Sequence, residues 1–380
     1  MRLPFANRCL LALLAVACQA PDSAEGAADP GERGASAWPM FRGDAAHSGR
    51  AGPREQHPGP RSSPRSLWSY QTGATVESSP TVVDGRVFVG SFGNRLVALD
   101  AETGAELWEV AVGGRLRCSP SVANGRVFFG ADDGHFYCVD AVDGRERWRF
   151  AFDAEVQQSS PALVDDLVVF GAFDDVVYAL ETDSGAKRWS YKTGGAILSS
   201  PVIAGGTVFV GSEDGKLHAI HLTDGSPRWT QLTDGPVWSS PAHADGLVVF
   251  GSDDGRVRAL QADDGALVWE HSTDGDVFSS PAIDGDAVYV GSRDGHLRKL
   301  ALASGDLIWS TDLGGAVFGS AALGELVIIG AADGLYALEP QDGKVAWKHS
   351  LGARVWSSAT LVGSRAYFGS HDGAVHVIGE

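Results

Sequence analysis

The sequence is poor in cysteine and in positive charge, and both shortages exclude classes of protein. It has 4 Cys in 380 residues, and its 30 Lys and Arg face 48 Asp and Glu, a formal net charge of −18. Such an acidic chain repels a phosphate backbone, so we expect no nucleic-acid partner. No Cys-x-x-Cys pair, Walker loop or Gly-x-Ser-x-Gly elbow occurs, and the familiar redox, nucleotide-binding and serine-hydrolase signatures are therefore missing.

Metal and disulfide chemistry also finds little support. Cys118 and Cys138 stand where the repeats described below carry Ser and Ala. We expect them on strands two steps apart, roughly 9–10 Å from each other, which is beyond the reach of a disulfide. They are therefore predicted to be free, buried thiols. The histidines, for example His218 and His221, show no paired ligand spacing, and no metal site is predicted.

The first residues have the pattern of an export signal. Arg2 and Arg8 give a basic start, and residues 9–17 form an apolar run too short to span a bilayer. Residues 15–18, AVAC, fit either a signal-peptidase site or a lipobox with Cys18 as the lipidated residue, and both cut at one bond. Residues 1–17 are thus a predicted signal peptide and residues 18–36 a flexible, polar tether. Gln19 fits the sorting pattern of an outer-membrane lipoprotein, anchored in the membrane by its lipid.

Two markers repeat along the chain with a period of about 40 residues. Eight tryptophans keep one register: Trp68, Trp108, Trp148, Trp189, Trp229, Trp269, Trp309 and Trp347. A Ser-Ser-Pro marker or a close variant keeps a second register and begins at Ser78, Cys118, Ser159, Ser199, Ser239, Ser279, Gly319 and Ser357. Two independent registers of eight members each indicate eight structural repeats.

Each repeat reads as four short strands. In the first repeat, apolar alternation predicts strands at 81–83, 86–89, 96–99 and 106–110, with turn residues between them. A single four-stranded meander cannot bury both of its faces. Stacking eight meanders around an axis buries the faces of each one against its neighbours. The sequence therefore predicts an all-β fold with a single eight-bladed β-propeller of four-stranded antiparallel blades at residues 67–380. The last repeat stops before any Trp, so we expect the N-terminal strand around Trp68 to pair with the C-terminal blade and close the ring.

Residues 98–108, ALDAETGAELW, resemble the tryptophan-docking motif of quinoprotein dehydrogenase propellers, A-x-D-x-x-T-G-x-x-x-W. Partial copies of the motif end at Trp148, Trp189, Trp269 and Trp347, and residues 38–49, WPMFRGDAAHSG, resemble the lead-in of pyrroloquinoline-quinone (PQQ)-like propellers. We assign residues 37–66 to this lead-in segment. The resemblance implies that the eight tryptophans dock against neighbouring blades. Their role is then structural and not catalytic.

The family contains two functional kinds. One is the PQQ- and Ca²⁺-dependent quinoprotein oxidoreductases, which carry a disulfide between adjacent cysteines and long inserted loops. The other is non-catalytic, like the lipoprotein subunit of the outer-membrane β-barrel assembly machinery. This chain has no Cys-Cys pair, and its repeat spacing deviates from 40 by two residues at most. The departures favour the second kind: we expect no catalytic residues, no cofactor and in particular no PQQ with Ca²⁺.

The candidate binding residues immediately precede each Ser-Ser-Pro marker, where the blade-to-blade crossover ends near the central channel. They are Glu77, Arg117, Gln158, Leu198, Trp238, Phe278, Phe318 and Trp356. One half of this ring is polar and the other aromatic, which suits either a binding patch or a plugged channel core. Six aspartates share that face in Asp-Gly turns (Asp133, Asp214, Asp254, Asp294, Asp333 and Asp372), and turn chemistry explains them without a ligand.

These observations predict a non-catalytic, extracytoplasmic scaffold that binds a protein or peptide partner on the crossover face. Outer-membrane protein assembly is the role that the family resemblance implies, with a monomeric propeller inside a larger complex. Two alternatives stay open. One is a PQQ/Ca²⁺-dependent oxidoreductase, and the other is a surface sensor or glycan-binding module that uses the aromatic half of the ring.

Overall fold

The structure, a computed structural model, describes residues 39–49, 56–152 and 159–380. The predicted signal peptide and tether with Cys18, the lead-in residues 37–38 and 50–55, and Gln158 lie outside these ranges. Every regular element in the described ranges is a β-strand, and they contain no helix that could span a membrane. The all-β prediction is confirmed.

Within these ranges thirty-two strands form eight sheets of four, as the two repeat registers predict. The chain begins with β1 (Arg65–Gln71) and continues through blade one, with β2 (Thr81–Val83), β3 (Arg86–Ser91), β4 (Arg95–Asp100) and β5 (Glu106–Ala111). Blade two has β6 (Ser121–Ala123), β7 (Arg126–Ala131), β8 (His135–Asp140) and β9 (Glu146–Ala151). Blade three has β10 (Ala162–Val164), β11 (Leu167–Gly171), β12 (Val176–Glu181) and β13 (Lys187–Lys192). Blade four has β14 (Val202–Ala204), β15 (Thr207–Ser212), β16 (Lys216–His221) and β17 (Pro227–Leu232).

The second half of the ring repeats the same plan. Blade five has β18 (Ala242–Ala244), β19 (Leu247–Ser252), β20 (Arg256–Gln261) and β21 (Leu267–Ser272). Blade six has β22 (Ala282–Asp284), β23 (Ala287–Gly291), β24 (His296–Ala301) and β25 (Leu307–Asp312). Blade seven has β26 (Ala322–Leu323), β27 (Val327–Ala331), β28 (Gly334–Leu338) and β29 (Val345–Ser350). Blade eight has β30 (Thr360–Val362), β31 (Arg365–Gly369) and β32 (Ala374–Gly379).

The first and the last strand of the described residues both belong to blade eight. Its strand order is β1-β32-β31-β30, so the first strand of the chain forms the outer edge beside the last. Trp68 pairs with Val377 and Gln71 with Ala374 in an antiparallel register. The predicted closure of the ring by its N-terminal strand is confirmed.

The hydrophobic core lies between successive blades. One cluster joins Phe88 and Leu96 of blade one to Val127, Phe129 and Tyr137 of blade two. The two middle strands of a blade are buried on both faces, whereas its outer strand alternates between half-buried and exposed residues. Because each blade buries its faces against both neighbours, the blades depend on one another for stability.

The second serine of every Ser-Ser-Pro marker links its blade to the next. The backbone N–H of Ser79 donates to Ser119 Oγ at 2.9 Å, and the same bond recurs from each blade to its successor. The backbone N–H of Ser358 donates to Ser79 Oγ at 2.9 Å and completes the circle. The eight members are Ser79, Ser119, Ser160, Ser200, Ser240, Ser280, Ser320 and Ser358. This serine ring explains why the marker repeats without exception at its second position.

The eight register tryptophans make a second set of links, near the outside of the ring. In seven of them the indole Nε1 donates to a backbone carbonyl of the next blade, as Trp229 does to Ala262 at 3.1 Å. Trp347 instead donates to Pro60 of the lead-in segment at 3.2 Å. A register shift lies beside every one of these tryptophans, and such bulges re-aim a side chain out of the ladder.

Candidate functional site

The residues that precede the Ser-Ser-Pro markers surround a central cavity on the crossover face. The seven described members are all half-buried: Glu77, Arg117, Leu198, Trp238, Phe278, Phe318 and Trp356. Below them the cavity is lined by the serine ring, and Phe41 of the lead-in segment also contacts it. The structure therefore brings together residues that are about 40 positions apart in the chain.

The aromatic half of this set forms one continuous row. Ring centroids are 5.8 Å apart for Trp238 and Phe278, 5.7 Å for Phe278 and Phe318, and 4.5 Å for Phe318 and Trp356. The imidazole of His371 extends the row, 4.5 Å from Trp356. Edge-to-face and tilted contacts of this kind stabilise a row of rings, which presents a pre-arranged apolar surface at the mouth of the cavity.

The polar half is held by one ion pair and one contact between a histidine and a carboxylate. Arg117 Nε lies 3.2 Å from Asp132 Oδ2, and the Arg117 guanidinium also stacks 5.0 Å from the Phe92 ring. Glu77 Oε1 lies 3.4 Å from His371 Nε2. Burial and the nearby charge of Arg354 lower the pKa of His371, so this contact joins a neutral imidazole to the carboxylate at pH 7.

Some buried polar atoms of blade five have no hydrogen-bond partner. Among the described residues, Trp238 Nε1 and Asp253 Oδ1 have no hydrogen-bond partner. Burial, reinforced by the charge of Asp276 and opposed by Arg293, raises the pKa of Asp253 to about 6. Unpaired buried polar groups carry a desolvation penalty. A ligand that accepts from the indole and donates to the carboxylate removes that penalty.

The lead-in segment forms the floor of the cavity. Carbonyl oxygens of Pro39, Ala45, Ala46, Ser48 and Gly49 accept hydrogen bonds from the inner strands of blades two, four, five, six and seven. Asp44 holds this turn together, because its carboxylate accepts from the backbone N–H of Ala46 and of Ser48 at 3.0 Å. The inner strands, which have no neighbouring strand on the axis side, thus find their partners in residues 39–49.

Two ionisable side chains are buried in this floor. Arg42, 2% exposed, donates from Nη1 to Ser280 O at 2.6 Å, and burial lowers its pKa to about 9. His47, also 2% exposed, donates from Nδ1 to Pro241 O at 3.1 Å. Burial, aided by the positive charge of Arg42, lowers the pKa of His47 to about 3.

The buried His47 makes stability depend on pH. An unfolded imidazole titrates near pH 6.5, so between pH 6.5 and about 3 the unfolded chain binds a proton that the folded chain does not. The free energy of unfolding therefore falls as the pH falls through this window, by about 2 kcal/mol from His47 alone between pH 7 and pH 5. We expect His47→Asn to remove that part of the loss, as urea unfolding at the two pH values will measure.

Asparagine is the matched replacement for His47. The residue has a positive φ of 54°, which Asn tolerates well, and its amide can donate where Nδ1 does. Other histidines with lowered pKa, such as His243 and His349, affect both proteins equally. An identical pH loss in the wild type and in His47→Asn contradicts the assignment.

The aspartates of the Asp-Gly turns have local partners. Asp254 and Asp294 pair with Arg258 and Arg298 at 2.7 and 2.6 Å, and Asp214 pairs with His218 at 3.2 Å. Asp133, Asp333 and Asp372 bond Tyr137, Lys348 and His376 in the same way. These carboxylates hold their turns and strands, in line with the turn chemistry expected from the sequence.

The central cavity is small for a cofactor of the size of PQQ. The cavity measures about 80 Å³, whereas pockets for such ligands range from about 300 to 1,000 Å³. The described ranges contain no group of three His, Cys, Asp or Glu that could hold a metal ion. Cys118 and Cys138 are buried and not disulfide-bonded, and burial raises the pKa of each thiol to about 12, which makes them poor nucleophiles.

Several residues of this site were not anticipated from the sequence. Phe41 and Arg42 were assigned only to a lead-in segment, and Asp253, Arg293 and His371 occupy a turn position that was not singled out. All three belong to the turn after the second strand of a blade, two residues beyond a Gly of that strand. Listing this position for every repeat would have found them.

Two families of known proteins match the chain. The family described as the β-propeller of the beta-alanine-activating enzyme matches residues 72–320, well over half of the 380 residues. The family described as outer membrane protein assembly factor BamB matches residues 293–379. No curated protein sequence matches the chain.

Solved structures share the fold at low identity. BamB from Moraxella catarrhalis is 19% identical with a TM-score of 0.70, over 83% of this chain and 98% of that one. The quinohemoprotein alcohol dehydrogenase from Comamonas testosteroni is 15% identical with a TM-score of 0.76, over 90% and 80%. The computationally designed Ika8 protein is 18% identical with a TM-score of 0.74, over 83% and 98%. The chain therefore belongs to the β-propeller family of the beta-alanine-activating enzyme, and its ring is a PQQ-like propeller that resembles BamB.

Proposed function

We propose that this chain is a non-catalytic scaffold that binds another protein on its crossover face. The observation that carries the proposal is the aromatic row from Trp238 to Trp356, half-buried at the mouth of the cavity. Large, rigid rings at the centre of a surface are the usual anchors of protein interfaces.

The cellular setting is the second part of the proposal. The basic start, short apolar run and AVAC sequence of residues 1–18 support export and lipidation of Cys18, and Gln19 supports sorting to the outer membrane. The match of residues 293–379 to BamB supports a role in outer-membrane protein assembly. In this proposal the propeller is a monomer inside a complex, anchored by lipid.

A capture experiment tests the scaffold. We expect the full chain, tagged and cross-linked in its native envelope, to retain a partner that Trp238→Ala plus Trp356→Ala loses by tenfold or more, because interface tryptophans are frequent hot spots. Leu307→Ala plus Leu232→Ala is the matched control, since these leucines are 50% and 63% exposed on outer strands. Equal recovery from the double tryptophan variant and the control contradicts the docking face.

The quinoprotein alternative is kept because a quinohemoprotein alcohol dehydrogenase aligns over 90% of the chain. Calorimetric titration with PQQ and Ca²⁺ separates it from the scaffold. Saturable one-to-one binding favours the oxidoreductase, and an absence of heat and of thermal stabilisation favours the scaffold. Retention of oligosaccharides in place of a protein would favour the glycan-binding alternative, since aromatic rows also stack on sugar rings.

A further inference from the structure

Blade seven has a shorter turn than the other blades on the crossover face. In blade one Gly90 pairs with Leu96, so five residues separate the two partners. In blade seven the equivalent Gly330 pairs with Leu335, and only four residues separate them. This missing residue contributes to the short spacing of 38 between Trp309 and Trp347. The shorter turn, with the small Ala332 at its tip, leaves a gap in the rim.

The gap opens a cleft beside the central cavity. It has a volume of about 470 Å³ and is lined by Arg293, Ala316, Phe318, Ala332, Arg354 and Trp356. Phe318 and Trp356, whose ring centroids are 4.5 Å apart, belong to both the cleft and the central cavity. We call this the blade-seven cleft. Its volume lies within the range of about 300–1,000 Å³ that is usual for ligand-binding pockets.

Two exposed arginines lie against these rings. The guanidinium of Arg293 lies 5.6 Å from the Phe318 ring, and that of Arg354 lies 6.0 Å from the Trp356 ring. Arg293 also pairs with Asp276 at 2.7 Å. Within the described residues no carboxylate lies within ion-pair distance of Arg354.

We propose that the blade-seven cleft binds a peptide segment of the partner protein in which carboxylates flank a large apolar side chain. This rests on the proposed function, since it names the chemistry that the crossover face recognises. The apolar side chain packs on Phe318 and Trp356, and a flanking carboxylate pairs with Arg354, whose planar fork matches a carboxylate.

Charge elsewhere on the rim supports the same partner. The turn positions equivalent to Arg293 carry Glu213 and Asp253 in the two preceding blades, and the whole chain has a net charge of −18. An acidic segment is therefore repelled from most of the surface and attracted at this cleft. A basic segment would find the opposite arrangement, with its charge facing two guanidiniums.

Binding of a defined peptide to the full chain tests the proposal. The probe is a short, dye-labelled synthetic peptide in which two Glu flank a Phe, followed by fluorescence polarisation. We expect saturable binding that Arg354→Gln weakens about tenfold or more, as the loss of a charged hydrogen bond implies. Arg145→Gln is the matched control, because Arg145 is 80% exposed on its side chain and lies at a turn of blade two; it should bind like the wild type.

A second peptide and a second variant test the roles of charge and of the open cleft. A peptide with Gln in place of Glu should bind about tenfold less tightly, and Ala332→Gln, which fills the cleft without changing charge, should weaken the original peptide. No saturable binding to the wild type, or equal binding by Arg354→Gln and Arg145→Gln, overturns the cleft assignment. Partner capture that Trp238→Ala alone abolishes leaves the scaffold proposal standing in that case, because Trp238 lies outside the cleft. Peptide binding to the wild type without any such Trp238-dependent capture contradicts the scaffold proposal but not a peptide site in the cleft.

Discussion

A chain that ends at Gly373 is expected to lose cooperative folding altogether. The deletion removes β32, which pairs with β31 on one side and with β1 on the other. Both partners then become edges, and the outer strand of blade eight has nothing to pair with. Because the ring closes only through this blade, neighbouring blades one and seven lose part of their packing as well.

The energy lost is comparable to the whole stability of a domain. Val375, Val377 and Ile378 are fully buried, and burying such side chains contributes about 1.5–3 kcal/mol each. Their loss costs about 5–9 kcal/mol, against a typical total of about 5–15 kcal/mol. Circular dichroism during urea unfolding will show the effect as the absence of a sharp transition.

A nearly full-length chain provides the control for this deletion. A chain that ends at Gly379 lacks only Glu380, whose side chain accepts hydrogen bonds from the backbone N–H of Arg61 and Ser62 at exposed positions. It should unfold in a single transition close to that of the wild type. A full-amplitude cooperative transition in the chain that ends at Gly373 contradicts closure as the source of stability.

Gly265→Ala is expected to destabilise the propeller by about 3 kcal/mol, through the packing of a tryptophan against the next blade. Gly265 has a φ of +75°, and a Cβ there would lie 2.7 Å from Cδ2 and Cε3 of Trp229. The left-handed backbone costs Ala about 1–2 kcal/mol, and pushing the ring out of its site adds about 1–3 kcal/mol. The shift of the urea midpoint, at unchanged slope, measures the sum.

Gly246→Ala is the matched control, because it shares the backbone cost without the contact. Gly246 has a φ of +76°, and nothing lies within 4 Å of a Cβ built there. Its destabilisation should stay at about 1–2 kcal/mol. If both variants lose the same free energy of unfolding, Trp229 moves aside without an energetic cost. The tryptophan contacts between blades then contribute little to stability.

The fold could be predicted because its determinants are periodic and local. The Trp and Ser-Ser-Pro registers count the blades, and the turn pairs set the strand boundaries to within a few residues. The serine ring accounts for the second register, since each Ser must accept from the blade before it. Closure followed from the missing Trp strand of the last repeat, and β1 supplies that strand.

The site could be predicted only in part, because the floor of the cavity and the blade-seven cleft do not follow the repeat. The crossover residues were found by their place before each marker, and the seven described members line one cavity. The floor is made by residues 39–49, whose backbone binds five different blades, and no spacing in the sequence reports such contacts. The blade-seven cleft depends on where one residue is missing, which a total spacing of 38 does not reveal.

Residues 39–49 form a floor beneath the central cavity, which opens on the crossover face. A solute that reaches Phe41 from the crossover face meets backbone bonded to the inner strands of five blades. A partner protein bound across the aromatic row, as proposed above, covers the mouth of the cavity on the crossover face. Exchange of a small molecule through this mouth is then controlled by the lifetime of that complex.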